Sequence, residues 1–311
     1  MAAPIVASSL PPHFNAALAR HPSLPRIVPV ASEPWTPPRG ARALFTFQTQ
    51  WKKAPAAPPA GWPFDLEWIQ VASAGVDTLP AWTHAVPLIT RAAGAHASAI
   101  AEYAIGAVFA HEKRIFPGVV RSPATWIQDK RGAIASTRFG VAGLGEIGRE
   151  AARLARALGM RVAAISRSGR DVEGVESLSG FKELLGWSDH LLLSLPLTPA
   201  TRRIVNAENL AAARPGLHLI NVARGGLIDD AALVTALDRG VLAAATLDVA
   251  DPEPPPEGHP FYVHPGIRLT PHISGAVEDS DDRMIAMLGE NLSRWVEGRG
   301  LRGIVSRAAG Y

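Results

Sequence analysis

The strongest constraint on this chain is a glycine-spaced segment, Gly143-Leu144-Gly145-Glu146-Ile147-Gly148. It separates an apolar run, Arg138–Ala142 (RFGVA), from a run of helical periodicity, Arg149–Gly159 (REAARLARALG). A bare GxGxxG is common, but between a buried strand and a helix each glycine has its own reason to be there. Gly143 serves the tight turn, Gly145 the approach of a pyrophosphate to the backbone, and Gly148 the packing of helix against strand. Glu146 and Ile147 open the helix, where unpaired N–H groups and the positive dipole end attract phosphate. The segment predicts a dinucleotide-binding Rossmann unit.

The rest of the chain supplies the strands such a unit needs. Arg161–Ile165, His190–Leu195, Leu217–Val222 and Ala243–Leu247 are near-continuous apolar runs, separated by helical stretches centred on Ala152, Leu184, Leu210 and Ala236. Strands of this kind suit a parallel sheet covered on both faces. An earlier alternation precedes a long predicted helix, Ala99–Ile115: strands Pro4–Ser8, Arg26–Val30, Ala43–Phe47 and Trp68–Ala72, with a helix at His13–Arg20. Lys52–Pro63, dense in Pro and Ala, is expected to be an ordered loop with little helix. A last helix is expected over Val277–Glu297. At 311 residues two domains are the better expectation. The fold class is α/β with two doubly wound parallel-sheet domains: a flavodoxin-like substrate domain of residues 1–98 plus 275–311, and a Rossmann cofactor domain of residues 99–274.

The end of the second Rossmann strand reads the cofactor's ribose. An NAD-preferring site places Asp or Glu there, on the 2′-hydroxyl. Here the strand ends in Ser166-Arg167-Ser168-Gly169-Arg170, with no carboxylate before Asp171. Arg167 can pair with a 2′-phosphate, and Ser166 and Ser168 can donate to it. NADP(H) is therefore expected to be preferred, with NAD(H) as the second cofactor.

Composition removes other classes. There are no cysteines, which excludes disulfides, thiol catalysis and Cys-ligated metal and fits a cytoplasmic protein. No metal site is expected. Net charge is +3, and the 31 basic residues are scattered rather than clustered with aromatics, so no nucleic-acid partner is expected. Arg149, Arg153 and Arg156 fall on one helix face, as on a solvated surface. The apolar runs are too short to cross a bilayer, and Met1–Leu10 lacks the basic region of a signal peptide, so neither membrane nor export is expected.

Three residues stand just past predicted strands, where open α/β sheets bind ligands. They are Arg224 in NVARGG, Glu253 in DVADPEP and His272 in LTPHIS. Reduction of a keto acid needs a cation to hold the carboxylate and polarise the carbonyl, and the planar guanidinium does this. The developing alkoxide needs a proton, for which His is suited, and a carboxylate beside it stabilises the imidazolium. In their order, NVARGGLID, LDVADPEP and LTPHISGA resemble the signature segments of D-2-hydroxyacid dehydrogenases, over roughly residues 65–300. Within that family the set is similar to NADP-type glyoxylate/hydroxypyruvate reductases.

The resemblance implies an Arg–Glu–His catalytic set at Arg224, Glu253 and His272, with Arg224 and His272 also touching substrate. It further implies that backbone amides of Ala74, Gly75 and Val76 hold the substrate carboxylate. Leu195, Pro196, Val222 and Ala223 would lie beside the nicotinamide, with His272 and Gly275 close by. Asp248 would contact the carboxamide, though capping of the following loop accounts for it almost equally well. Phe47 and Gln48 stand where the family places a substrate-selecting loop, although an aromatic there is more often core. The expected partners are a small 2-keto acid and a second copy of the chain, in a homodimer with Arg121–Arg131 near the interface; Trp126 and Ile127 in that polar loop are the local sign. The competing function is a corepressor-like protein that senses the nicotinamide state without turnover.

Overall fold

The computed structural model describes residues 3–31, 33–114, 120, 122–167, 169 and 172–306. The chain divides into two compact units, Met1–Ala95 with Val277–Tyr311, and His96–Ala276.

The first unit carries β1 (Ile5–Ser8), α1 (Pro12–Ala19), β2 (Arg26–Pro29), β3 (Ala43–Thr46), β4 (Trp68–Val71) and β5 (Leu88–Arg91). These strands form one sheet in the order β2-β1-β3-β4-β5, with every pairing parallel. That is the flavodoxin-like order. Alternate side chains serve opposite faces. Phe45 and Trp68 pack with Phe14 and Leu18 of α1 and with Met284, Leu288 and Leu292 of the last helix. Leu44 and Ile69 join Trp35 and Trp51 in a separate cluster.

That second face departs from the helical cover expected of a doubly wound sheet. It carries tryptophan-rich loops and short 3₁₀ turns at Gln48–Lys53 and Ala81–Ala85. Prolines at 34, 37, 38, 55, 58, 59 and 63 account for this, since each removes an amide donor and clashes with a preceding turn. Trp51, Trp62 and Trp82 pack edge-on or tilted at centroid separations of 4.8–6.2 Å and order the Lys52–Pro63 loop in place of a helix. Sequence reading missed β5.

The second unit holds α2 (Ala97–Lys113), β6 (Arg138–Ala142), α3 (Glu146–Ala157), β7 (Arg161–Ile165), β8 (Glu176–Ser177), α4 (Phe181–Trp187), β9 (His190–Leu193), α5 (Ala207–Leu210), β10 (Leu217–Asn221), α6 (Asp230–Asp238), β11 (Leu242–Leu247) and β12 (Ile267–Leu269). Its seven strands run parallel in the order β12-β11-β10-β9-β6-β7-β8. The chain steps outward from β6 to β8, then returns to β9 and proceeds the other way, so the topological switch lies between β6 and β9. One face buries α2 and α3 against Phe139, Val141, Val162 and Leu192. The other buries α4 and α6 against Leu191, Leu193, Leu219 and Leu247. Each such leucine contributes about 1.5–3 kcal/mol by burial. Arg149, Arg153 and Arg156 are exposed, as their spacing predicts. The remaining helix, α7 (Ser280–Val296), belongs to the first unit, where it contacts α1.

No helix among the described residues is long and apolar enough to cross a membrane.

Candidate active site

The glycine segment sits at the switch point. Gly143 follows β6 with φ 102°, and a β-carbon there would lie 2.9 Å from the Ser194 carbonyl oxygen. Ser194, just past β9, closes the switch: its N–H donates to the Ala142 carbonyl at 2.9 Å and its hydroxyl to the Gly143 carbonyl at 2.7 Å. β9 itself ends at Leu193, two residues before its apolar run does. A β-carbon on Gly148 would land on the Gly143 carbonyl and press within 3.0 Å of Val141 Cγ1. Gly145 differs. It caps α3 at φ −71°, and among the described residues no side chain caps that end and a β-carbon on it would meet nothing within 4 Å. The fold requires glycine at 143 and 148 but not at 145. Open space over an uncapped helix start is what a diphosphate needs, so these residues fit a dinucleotide. Glu146 and Ile147 supply the first-turn amides.

Ser166 is half-buried and Arg167 exposed at the end of β7, beside the glycine turn, since the Gly143 N–H donates to the Ile165 carbonyl at 3.0 Å. Ser168 lies outside the described residues, as do Arg170 and Asp171.

Arg224, Glu253 and His272 follow β10, β11 and β12, three neighbouring strands. Asn221 brackets the Arg224 turn, accepting from the Ala223 N–H at 3.0 Å and donating to the Arg224 carbonyl at 2.9 Å. The guanidinium is half-buried and donates from Nη1 to the Ala223 carbonyl at 2.7 Å. Gly225 abuts the Ala250–Asp251 backbone so closely that a β-carbon would overlap it. That contact seats the Arg224 turn on the Glu253 loop.

His272 Nδ1 lies 3.1 Å from Glu253 Oε2, and the other carboxylate oxygen accepts from the Ala250 N–H at 3.3 Å. The imidazole is half exposed, 50% at its side chain, so its other nitrogen is open to a reacting molecule. A carboxylate on Nδ1 fixes the tautomer and leaves Nε2 to give or take the proton. His272 adopts φ 55°, a left-handed backbone that residues with a β-carbon rarely take and that recurs at functional sites.

Asp248 is buried, and its carboxylate accepts from the Thr270 hydroxyl and the Ile273 and Ser274 N–H groups at 2.6–2.8 Å. The structure thus shows the loop-capping use of this residue. Val222 and Ala223 are buried, Leu195 and Pro196 half-buried, and all four lie at the strand ends around the switch. At Gly275 a β-carbon would lie 3.3 Å from Cβ of His96, the N-cap residue of α2.

The remaining residues belong to the first unit. Ala74, Gly75 and Val76 follow β4. Val76 is buried, Ala74 is exposed, and Ser73 donates to the Gly75 carbonyl at 3.2 Å. Phe47 packs on the core, edge-on to Phe14 at 6.1 Å, as the core reading of that aromatic expects. Sequence reading missed Ser194, Asn221, Tyr103 and Thr270. Asn221 had a local signal, a polar residue ending an apolar strand; the others act through partners more than 20 residues away.

Residues 105–274 match the family model described as D-isomer specific 2-hydroxyacid dehydrogenase, NAD binding domain. A glycerate dehydrogenase of Methylorubrum extorquens is 32% identical over 250 residues, 76% of this chain and 77% of that one. A glyoxylate/hydroxypyruvate reductase A of Serratia proteamaculans is 36% identical over 201 residues, 63% of each chain, and so is matched over less than two thirds of its length. Among solved structures, an NADPH-dependent glyoxylate/hydroxypyruvate reductase from Sinorhizobium meliloti, in complex with NADP and sulfate, superposes with a TM-score of 0.83 at 28% identity, covering 99% of this chain and 100% of that one. The chain belongs to the D-isomer specific 2-hydroxyacid dehydrogenase family.

Proposed function

We propose that this enzyme reduces a small 2-keto acid of the glyoxylate or hydroxypyruvate type to the D-2-hydroxy acid, with NADPH preferred over NADH. The observation that carries the reading is the His272–Glu253 pair at 3.1 Å, held past β12 and β11 next to the Arg224 turn past β10. In it, Arg224 binds the carboxylate and draws electron density from the carbonyl. His272, protonated, gives its Nε2 proton to the carbonyl oxygen. Glu253 holds the imidazole by Nδ1 and stabilises its charge before transfer. A nicotinamide cofactor, when bound, supplies the hydride. Gly143, Gly145, Glu146, Ile147 and Gly148 would seat its diphosphate, and Leu195, Pro196, Val222 and Ala223 would exclude water at its ring. His272 and Gly275 would flank the ring, and Asp248 keeps them in place through the 270–274 loop.

Preference for NADPH rests on Ser166 and Arg167, with no carboxylate at the end of β7 to repel a 2′-phosphate. The NADP-bound Sinorhizobium meliloti relative supports it. A homodimer is part of the same proposal, supported by Trp126 and Ile127, which are 71% and 74% exposed; Arg121 of that segment lies outside the described residues. A cytoplasmic location is proposed from the cysteine-free sequence.

The test is a panel of small 2-keto acids assayed with NADPH and NADH. Consumption of NADPH with glyoxylate or hydroxypyruvate is expected. Equal use of NADH would overturn the cofactor preference, and no turnover with any 2-keto acid would overturn the reaction.

A further inference from the structure

His272 does not hold its own backbone. Its left-handed φ of 55° has to be imposed from outside, and the surroundings show how. The buried carboxylate of Asp248 gathers the segment around it. Oδ1 accepts from the Thr270 hydroxyl at 2.6 Å and from the Ile273 N–H at 2.8 Å, and Oδ2 accepts from the Ser274 N–H at 2.8 Å. The Asp248 carbonyl accepts from the His272 N–H at 2.9 Å. Five residues, 270–274, therefore wrap one acid, with the histidine at the apex.

The direction of the next bond follows from proton count. Thr270 has one hydroxyl proton and gives it to the carboxylate. Its oxygen also lies 2.6 Å from the Tyr103 hydroxyl, so there Thr270 accepts and Tyr103 donates. Tyr103 stands on α2, far away in sequence, within the same compact unit. Burial holds its phenol above the ordinary value, against the opposing effect of the Thr270 hydrogen bond and with the charge of Asp248 adding to it. Nothing in the proposed reaction uses this hydroxyl.

We infer that Tyr103 and Thr270 are positioning residues for His272: their hydroxyls fix Asp248, and Asp248 fixes the left-handed turn that carries the imidazole to Glu253. The inference rests on the reading of His272 as proton donor and adds the residues that set its geometry. Buried hydroxyl–carboxylate chains act as units, and a small displacement of a proton donor costs rate far more than binding.

The experiment compares Tyr103→Phe, Thr270→Val and Thr270→Ser, each alone and combined with His272→Asn, using glyoxylate and NADPH. The readouts are kcat, KM, the NADPH dissociation constant by cofactor fluorescence, and Tm. Tyr103→Phe and Thr270→Val should lower kcat about 10- to 100-fold, with NADPH affinity essentially unchanged. Thr270→Ser, which keeps the hydroxyl, should retain most of the rate. In the His272→Asn background, Tyr103→Phe should cost nothing further, because coupled residues are not additive. Wild-type kcat in Tyr103→Phe and Thr270→Val beside an impaired His272→Asn overturns the positioning role alone. So does full additivity of Tyr103→Phe with His272→Asn. Wild-type turnover in His272→Asn itself overturns the proton-donor reading and the inference with it. Should Thr270→Val fail to fold, the smaller Tyr103→Phe change decides.

Discussion

Replacing Gly145 and Gly148 in turn by alanine separates what the fold needs from what a ligand needs. At 148 a methyl group would fall on the Gly143 carbonyl, with Val141 Cγ1 and Ser194 Oγ each 3.0 Å away. The carbonyl is backbone in a closed turn and cannot swing aside, so α3 must lift from β6. Overpacking of this kind costs about 1–3 kcal/mol, while alanine's better helix propensity returns only about 1 kcal/mol. At 145 the new methyl meets nothing within 4 Å among the described residues, and φ −71° suits any residue. A small loss of helix-cap preference is offset by a stiffer unfolded chain, each worth about 0.5 kcal/mol. Stability should therefore hold. The methyl does, however, fill the space over the helix start and push a diphosphate off the first-turn amides. Hydrogen bonds to a charged group contribute about 1.5–3 kcal/mol, so losing one weakens NADPH about 10- to 150-fold. Thermal or denaturant unfolding without cofactor, paired with NADPH titration, reads both effects. Gly148→Ala should lose stability; Gly145→Ala should keep it and lose binding. A Gly145→Ala protein that binds NADPH as the wild type does would refute the cradle.

Three further outcomes are expected. Arg167→Asp, by introducing a charge that repels a 2′-phosphate, should weaken NADPH and relatively favour NADH; an unchanged NADPH-to-NADH ratio in kcat/KM would dismiss Arg167 as the discriminator. Glu253→Gln keeps an acceptor 3.1 Å from Nδ1 but removes its charge, so it should lose some kcat but less than Glu253→Ala, with NADPH binding intact in both; a Glu253→Gln rate equal to wild type would show that the charge plays no part. Stability should fall between about pH 6.5 and pH 4, because burial, then the charge of His111, pushes His190 down to about 4, and burial lowers His218 likewise. The sign follows from proton uptake: below its ordinary value an unfolded histidine binds a proton that folded His190 refuses, so stability is whole above that value and lost as pH falls through the window. A denaturation midpoint that stays flat across the window would contradict this.

That histidine cluster also shows where sequence reading stops. His111, His190 and His218 come from α2, β9 and β10, and meet with His111 stacked on His218 at 4.4 Å and Nδ1 of His190 3.2 Å from Nδ1 of His218. No spacing along the chain announces them, because the sheet order that joins them is a tertiary fact. The Rossmann strands were legible because burial on both faces leaves uniform apolar runs with glycine at the turn. β5 was not, because its four residues, Leu88–Arg91, follow a 3₁₀ turn rather than a helix and match no period. At the site, Arg224, Glu253 and His272 could be named because each follows a strand. The support beneath them could not, since Tyr103 and Thr270 are 167 residues apart. Asp248 was visible in the sequence with two roles open, and its three donors from the 270–274 segment show the capping one.

The most direct test of the reaction is turnover of glyoxylate by His272→Asn, followed through the absorbance of NADPH, beside NADPH binding measured on the same protein. If His272 gives the proton, turnover should fall about 100- to 10,000-fold while NADPH binds nearly as in the wild type. Near-normal turnover in that variant would contradict the assignment.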